Sequence, residues 1–133
     1  MAFLPDAFLA TAKKLANGTG EADHRTAIGR AYYAPYGHVR ERLAAAHQTT
    51  AARIFGKSGK HTPLAGRLGR TTPFKLVAPL YNALMTGRIH ADYLYSATLG
   101  KQEATKAVAN GEWVLSKLKG FDDKEYARIT LPL

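Results

Sequence analysis

Hydrophobic residues recur at intervals of three or four along most of this chain, which is the spacing of one buried helix face. The first such run follows Pro5 and Asp6 and stops before Asn17 and Gly18, so it predicts a helix of about twelve residues. The apolar stripe of this helix is Phe8, Leu9, Ala12 and Leu15.

The second predicted helix is longer, and it starts after Thr19 or Gly20 with acidic residues in its first turn. Its helical period continues to near His47. The apolar stripe is Ile28, Tyr32, Pro35 or Tyr36, Val39 and Leu43. Because proline lacks an N–H group and clashes with the preceding turn, Pro35 is expected to kink this helix.

Residues 48–72 lose this period and contain four glycines, so we expect a loop there with one short helix near residues 63–67. A third helix is predicted to begin with Thr72 as its cap and Pro73 at its first position, and to run on through residues 88–95. The last predicted helix follows a break at Leu99 and Gly100. The buried positions expected in these two helices are Phe74, Val77, Tyr81, Leu84, Met85, Ala104, Val108, Gly111, Leu115 and Leu118. The tail from residue 121 has no readable pattern.

These elements predict an all-α protein, an up-down bundle of four to five helices with a kinked second helix, formed by residues 1–133 as one domain. The chain has no cysteine, no apolar run long enough to span a bilayer and no signal-peptide pattern, so a cytoplasmic protein is expected. Its five histidines lack metal-ligand spacing, and we expect neither a metal nor a cofactor.

The positive charge is concentrated in the middle of the chain. From residue 38 to residue 75 there are eight lysines and arginines against Glu41 alone, so 8 − 1 = +7 of the formal net charge of +9 lies there. Such a field attracts polyanions, which makes RNA, DNA or a nucleotide the leading class of partner. Arg40, Lys57 and Lys60 are candidate nucleic-acid contacts in this segment. An acidic protein partner and a surface kept basic for solubility are the alternatives.

A cation and an anion fall on the apolar stripe of the third predicted helix. Steps of three or four residues from Leu84 lead to Arg88, then to Asp92 and then to Tyr95. Two interpretations compete. Arg88 and Asp92 form an internal ion pair that fixes helix packing, or they face a cleft or a second subunit where Arg88 meets an anion.

Two tyrosine-rich cationic stretches carry a resemblance to a known family. Residues 25–38 read RTAIGRAYYAPYGH, and residues 88–95 read RIHADYLY. The first resembles the helix of the HEPN superfamily (higher eukaryote and prokaryote nucleotide-binding domains), whose members often read R-x-A-I-x-R-A-Y-Y-A followed by an aromatic residue and a histidine. The second is similar to a later segment of that family, with arginine followed by alanine, aspartate and tyrosine.

The resemblance implies a helical bundle, a homodimer and a polar cleft at the dimer seam that binds RNA or nucleotides. Many members are metal-independent endoribonucleases of toxin–antitoxin or phage-defence systems. In these, an arginine stabilises charge on the scissile phosphate while a histidine, spaced R-x4-6-H, assists proton transfer at the ribose 2′-hydroxyl. Several members pair with a nucleotidyltransferase that silences them.

The chain departs from the active pattern of that family at one position. Counted from Arg88 in R-x4-H-x-Y, Tyr93 takes the place of the histidine and Tyr95 takes that of the final tyrosine. A phenol with an ordinary pKa near 10 is a poor general base at neutral pH. In the first stretch, His38 stands one residue beyond the expected histidine position.

The predicted site combines residues from the second and third helices. Arg88, Asp92, Tyr93 and His38 are the candidate catalytic residues. Arg30, Tyr33 and Tyr95 join Arg40, Lys57 and Lys60 as candidate nucleic-acid contacts. Two functions follow: an RNA-directed protein of a toxin or defence system, either cutting with an atypical acid/base group or only binding, and a non-catalytic module that docks a nucleotidyltransferase or another protein.

Overall fold

The computed structural model describes residues 3–46 and 61–129, and all regular elements in these ranges are helical. The all-α prediction is therefore confirmed for the described residues. The helices, numbered here in chain order, are α1 (Asp6–Ala16), α2 (Glu21–Ala46), α3 (His61–Arg70), α4 (Ala78–Tyr93), α5 (Lys101–Lys119) and α6 (Asp123–Ile129), with a short 3-10 turn at Phe74–Leu76. None of the described helices is long and apolar enough to cross a membrane.

The core is organised around α2, which contacts α1, α4, α5 and α6. Its predicted stripe is buried, and small residues between the large ones let neighbouring helices approach closely. The tightest approach is at Gly111 of α5, where an added Cβ would lie 2.7 Å from the carbonyl oxygen of Ala31. Glycine at this position therefore sets the distance between α2 and α5.

The predicted start of the third helix was wrong by five residues, since 78 − 73 = 5. Thr72 and Pro73 lead into the 3-10 turn, and α4 begins at Ala78 with Pro79 in its first turn. Both prolines suit a helix start because a first-turn residue has no intrahelical partner for its N–H, so the pattern alone offered two starts. Four of the positions expected to be buried, Phe74, Val77, Tyr81 and Leu84, are in the core, whereas Met85 is only partly buried against it.

The end of the chain contains a helix that the hydrophobic pattern did not reveal. The Asp122 carboxylate accepts a hydrogen bond from the Glu125 N–H at 2.8 Å, and the Glu125 carboxylate accepts one from the Asp122 N–H at 2.9 Å. This reciprocal capping starts α6. Tyr126 anchors it, because the buried ring donates its hydroxyl proton to the Leu118 carbonyl at 2.6 Å and lies 4.3 Å from the guanidinium carbon of Arg42.

The kink at Pro35 and the contacts assigned to Lys57 and Lys60 stay predictions. Pro35 lies within α2, which is helical on both sides of it, and the kink stays a prediction. Lys57 and Lys60 fall in residues 47–60, outside the described residues. The short helix expected near residues 63–67 is part of the longer α3, and Arg67 of this helix donates a hydrogen bond to the Ile129 carbonyl at 2.8 Å.

Candidate functional site

Arg88 and Asp92 form an ion pair at the contact between α4 and α2. They are one helical turn apart, and Nε of Arg88 lies 3.1 Å from Oδ2 of Asp92. The Arg88 side chain is only 17% exposed, whereas that of Asp92 is 41% exposed. Gly29 of α2 faces the pair, since an added Cβ there would lie 3.9 Å from Oδ1 of Asp92 and 4.0 Å from Cγ of Arg88. The internal ion pair predicted from the helix register is therefore present.

A second arginine lies beside this pair, with a tyrosine between the two. The guanidinium carbons of Arg30 and Arg88 lie 4.9 Å and 5.4 Å from the centroid of the Tyr33 ring. Arg30 also lies 5.1 Å from the Phe8 ring centroid. Contacts of this kind are worth about 0.5–1 kcal/mol at exposed sites and about 2 kcal/mol when water is excluded. We call Arg30, Tyr33, Arg88 and Asp92 the arginine cluster.

The arginine cluster carries an excess positive charge. Two arginines and one aspartate give 2 − 1 = +1. Within the part of the chain that the structure describes, Asp92 pairs with Arg88, and no carboxylate lies within ion-pair distance of Arg30. An aromatic ring stabilises a cation but does not neutralise it. The cluster is consequently suited to a bound anion such as a phosphate group.

A groove of about 510 Å³ continues from Tyr33 along α2. It is formed by the segment leading into α1 and by one face of α2. Its lining residues are Phe3, Pro5, Phe8, Tyr33, Tyr36, Gly37, Arg40 and Glu41. Gly37 lets the two walls meet, because an added Cβ there would lie 2.9 Å from Cβ of Pro5. Arg40, predicted as a nucleic-acid contact, is exposed at this groove and lies beside the Tyr36 hydroxyl.

Tyr93 and Tyr95 do not join the arginine cluster. Their side chains are 65% and 79% exposed at the C-terminal end of α4. Tyr93 follows Arg88 by five residues, which turns it by about 140° around the helix. Tyr95 lies past the end of α4, with its ring centroid 6.0 Å from the guanidinium carbon of Arg25. The prediction that these tyrosines share one site with Arg88 was therefore wrong.

The end of α4 is held by Arg25, a residue to which the sequence pattern assigned no role. Its guanidinium donates hydrogen bonds to the carbonyls of His90 at 3.3 Å, Ala91 at 3.0 Å and Leu94 at 3.1 Å, and to that of Ala97. Glu21, one turn earlier on α2, accepts a further bond at 2.8 Å. The His90 carbonyl also accepts the Leu94 N–H at 2.9 Å. Because the last carbonyls of a helix generally lack intrahelical donors, Arg25 caps the end of α4 from a distance and fixes its position on α2.

His38 lies in the C-terminal half of α2, beyond the residues of that helix that belong to the arginine cluster. Eight residues separate it from Arg30, which is about 12 Å along a helix axis. Its ring centroid is 6.2 Å from that of Tyr126, in the contact with α6. Burial, followed by the positive charges of Arg42 and Lys119, lowers the pKa of His38. The grouping of His38 with Arg88 was wrong because a one-residue change of register turns a side chain by about 100° around a helix.

The other described histidines also have positions away from the arginine cluster. His24 is buried and bonds the Gly18 carbonyl at 2.8 Å, whereas His90 lines a smaller cleft of about 260 Å³ between α2, α4 and α5. Within the described ranges, no group of histidines and carboxylates has the arrangement of a metal site. The cluster offers guanidinium, phenol and carboxylate groups, which can bind a phosphate and accept a proton.

Comparison of the chain with protein-family models, with curated proteins and with solved structures gave no match. The resemblance to the HEPN superfamily thus rests on the two tyrosine-rich cationic stretches. Both stretches contribute to the arginine cluster, the first through Arg30 and Tyr33 and the second through Arg88 and Asp92.

The position of His38 predicts a pH dependence of stability. Because the folded protein keeps this ring neutral at a pH where the unfolded chain protonates it, the unfolded state binds more protons. Burial of the neutral His38 ring is therefore tolerated at a pH above the ordinary histidine pKa of about 6.5, and the folded state loses stability as the pH falls below that value. We expect urea unfolding to show a smaller loss between about pH 7.5 and about pH 5.5 in His38→Gln than in the wild type. An equal loss in both proteins would contradict the described environment of His38.

Proposed function

We propose that this protein binds RNA through the arginine cluster. One observation supports this most directly: the Tyr33 ring contacts two guanidinium groups, and the one carboxylate of the cluster pairs with Arg88. Arg88 is fixed by its ion pair and by packing, so it is preorganised, while Arg30 carries the unneutralised charge. A phosphate beside them would gain charge-assisted hydrogen bonds without reordering the protein. The net charge of +9 would raise the local concentration of such a polyanion.

The biological setting that we propose comes from the HEPN resemblance. An RNA-directed protein of this kind would act in a toxin–antitoxin or phage-defence system, with a nucleotidyltransferase or another protein as its regulator. The support on this chain is the pair of family-like stretches, which meet in one cluster between α2 and α4.

Cleavage of the bound RNA is the second candidate function, and it is favoured by the position of Asp92. This carboxylate is adjacent to Arg88 and partly exposed, so a ribose 2′-hydroxyl could reach it. In the proposed step, Asp92 takes the proton of the 2′-hydroxyl and the 2′-oxygen attacks phosphorus. The P–O5′ bond breaks to leave a 2′,3′-cyclic phosphate, and water supplies the proton to the leaving oxygen. Arg88 would stabilise the added negative charge.

We further propose that two copies of the chain associate through the C-terminal part of α4. Ile89 and Tyr93 lie one turn apart on its outer face and are 43% and 65% exposed, and Leu94 follows at 40%. Exposed apolar side chains in one patch are typical of a protein interface. A second copy here would bring two arginine clusters towards one seam, as the family resemblance implies.

The RNA-binding proposal predicts a specific loss of affinity. Arg30→Gln should weaken binding of a single-stranded RNA by about tenfold and reduce the slope of log affinity against log salt by about 0.7, because one phosphate contact is removed. Fluorescence anisotropy at several salt concentrations measures both. Arg128→Gln is the matched control, since it removes the same charge from exposed Arg128 at the Thr72 carbonyl.

Arg88 needs a different variant, because its removal alone would leave Asp92 without its cation. Arg88→Gln combined with Asp92→Asn keeps both side-chain shapes and removes the pair. We expect this double variant to fold and to lose affinity as Arg30→Gln does. Binding that is insensitive to salt, or an equal loss in Arg128→Gln, would contradict the proposal.

Cleavage is tested with purified protein, a mixed RNA pool and EDTA. Wild type should release fragments that end in 2′,3′-cyclic phosphate, and Asp92→Asn should cut at least about 100-fold more slowly while it still binds RNA. Wild-type protein that binds the pool and releases no fragments would eliminate the second candidate function and leave the first intact.

Association is tested by sedimentation equilibrium. We expect the wild type to be a dimer and Ile89→Glu to be a monomer, because a carboxylate in the seam would have to lose its hydration. Leu76→Glu is the control, since Leu76 is 59% exposed on the 3-10 turn. A monomeric wild type, or the same shift in both variants, would show that this face of α4 does not join two copies.

A further inference from the structure

We propose that the groove between the N-terminal segment and α2 holds one unpaired base of the bound strand, while the arginine cluster holds its phosphate. The protein would then select single-stranded RNA over a duplex. This inference rests on the proposed RNA binding and adds to it a base site, with the residues that form it.

The groove is lined by two phenylalanines, Phe3 and Phe8, that are not part of the buried core. Phe3 is 60% exposed, and its ring meets Phe8 edge-on with centroids 5.0 Å apart. Phe8 in turn lies 6.2 Å from Tyr33. An aromatic ring that is exposed beside other rings provides a face on which a base can stack, and such stacking is worth about 1–3 kcal/mol per base.

The size and the polar groups of the groove suit a nucleobase. Its volume of about 510 Å³ lies within the range of about 300–1,000 Å³ that is common for ligand sites. Arg40 and Glu41 stand at its rim. A guanidinium donates hydrogen bonds and a carboxylate accepts them, so the two together can meet the donor and acceptor groups on a base edge. Their charges cancel, which suits an uncharged base.

The base site and the phosphate site share a wall. Tyr33 lines the groove and also contacts both guanidinium groups of the arginine cluster. Arg30 spans the same boundary, since it lies against both Phe8 and Tyr33. A nucleotide whose base entered the groove would therefore have its phosphate next to Arg30 and Arg88. This continuity favours a nucleotide over an apolar peptide, which would have no group for the two cations.

Duplex RNA cannot supply such a base without being opened. In an A-form helix the bases are paired and stacked, and unstacking one costs a few kcal/mol. A single strand presents its bases already free to leave the stack. A base-holding groove beside the phosphate site thus favours single strands, whereas the arginine cluster alone would bind both forms.

The test uses a ten-nucleotide oligouridine that carries one 2-aminopurine, a base whose fluorescence is quenched when it stacks on an aromatic ring. We expect quenching when the wild-type protein binds. Phe3→Ala should weaken binding about tenfold and reduce the quenching, with an unchanged salt slope, because a base contact and no phosphate contact is lost. Leu4→Ala is the matched control, since this neighbouring side chain is 64% exposed and does not line the groove. A duplex of the same length should bind at least about tenfold more weakly.

The outcomes separate the groove from the proposed function. Salt-dependent binding that is lost in Arg30→Gln, but gives no quenching and is unchanged in Phe3→Ala, would overturn the base site and keep the RNA-binding function. Equal affinity for duplex and single strand would overturn the selection of single strands. Absence of any binding would overturn both proposals. Binding of an apolar peptide that Phe3→Ala abolishes, without quenching by the oligonucleotide, would reassign the groove to a protein partner.

Discussion

A guanidinium group that is shielded from water needs interaction partners, which can be carbonyl oxygens, a carboxylate or aromatic rings. The packing of α2 depends on this constraint. Arg25 donates hydrogen bonds to the carbonyls at the end of α4 and to Glu21. Arg42 donates hydrogen bonds to Asp123 and to the Phe121 carbonyl, and it contacts the Tyr126 ring. The first of these arginines positions α4 on α2, and the second positions α6. Arg25 donates from Nε and from both terminal nitrogens to acceptors of the fold, so it has no donor to spare for a ligand.

The arginine cluster differs from these two structural arginines in its balance of charge. Asp92 forms an ion pair with Arg88, whereas Arg30 contacts the rings of Phe8 and Tyr33. Adding a carboxylate beside Arg30 would complete a structural network of the kind seen at Arg42, and its absence is what makes a bound anion favourable. The position of α4, which Arg25 sets, also determines the distance between Arg88 and Tyr33. A residue with a purely structural role thus supports the geometry of the candidate site.

Much of the fold could be predicted from the hydrophobic pattern because each of the long helices carries its own stripe. The Arg88–Asp92 ion pair could also be predicted from the sequence, because residues four apart on a helix are neighbours regardless of what the helix packs against. The role of Arg25 at the end of α4 could not be predicted from the sequence, because the carbonyls that it bonds there are 65 or more residues away and are backbone atoms. His38 was wrongly grouped with Arg88, because a short motif gives the order of the residues but not the direction in which each side chain faces in a particular bundle. The start of α6 could have been found, because Asp122 and Glu125 have the spacing of a capping box.

The positions of Tyr93 and Asp92 relative to Arg88 bear on whether a phosphate site here would also cleave the bound RNA. Tyr93 occupies the family's histidine position in the sequence, yet it lies on the exposed face of α4. An imidazole at that position would need a different orientation of the helix end to meet Arg88 of its own chain. To meet Arg88 of another chain, it would need a second copy of the protein. The proton-accepting group that does meet Arg88 is Asp92, whose Oδ2 lies 3.1 Å from Nε of Arg88. Binding a phosphate needs the guanidinium groups alone, whereas cleavage also needs a carboxylate that is already held in an ion pair, so binding makes smaller demands on this site than cleavage does.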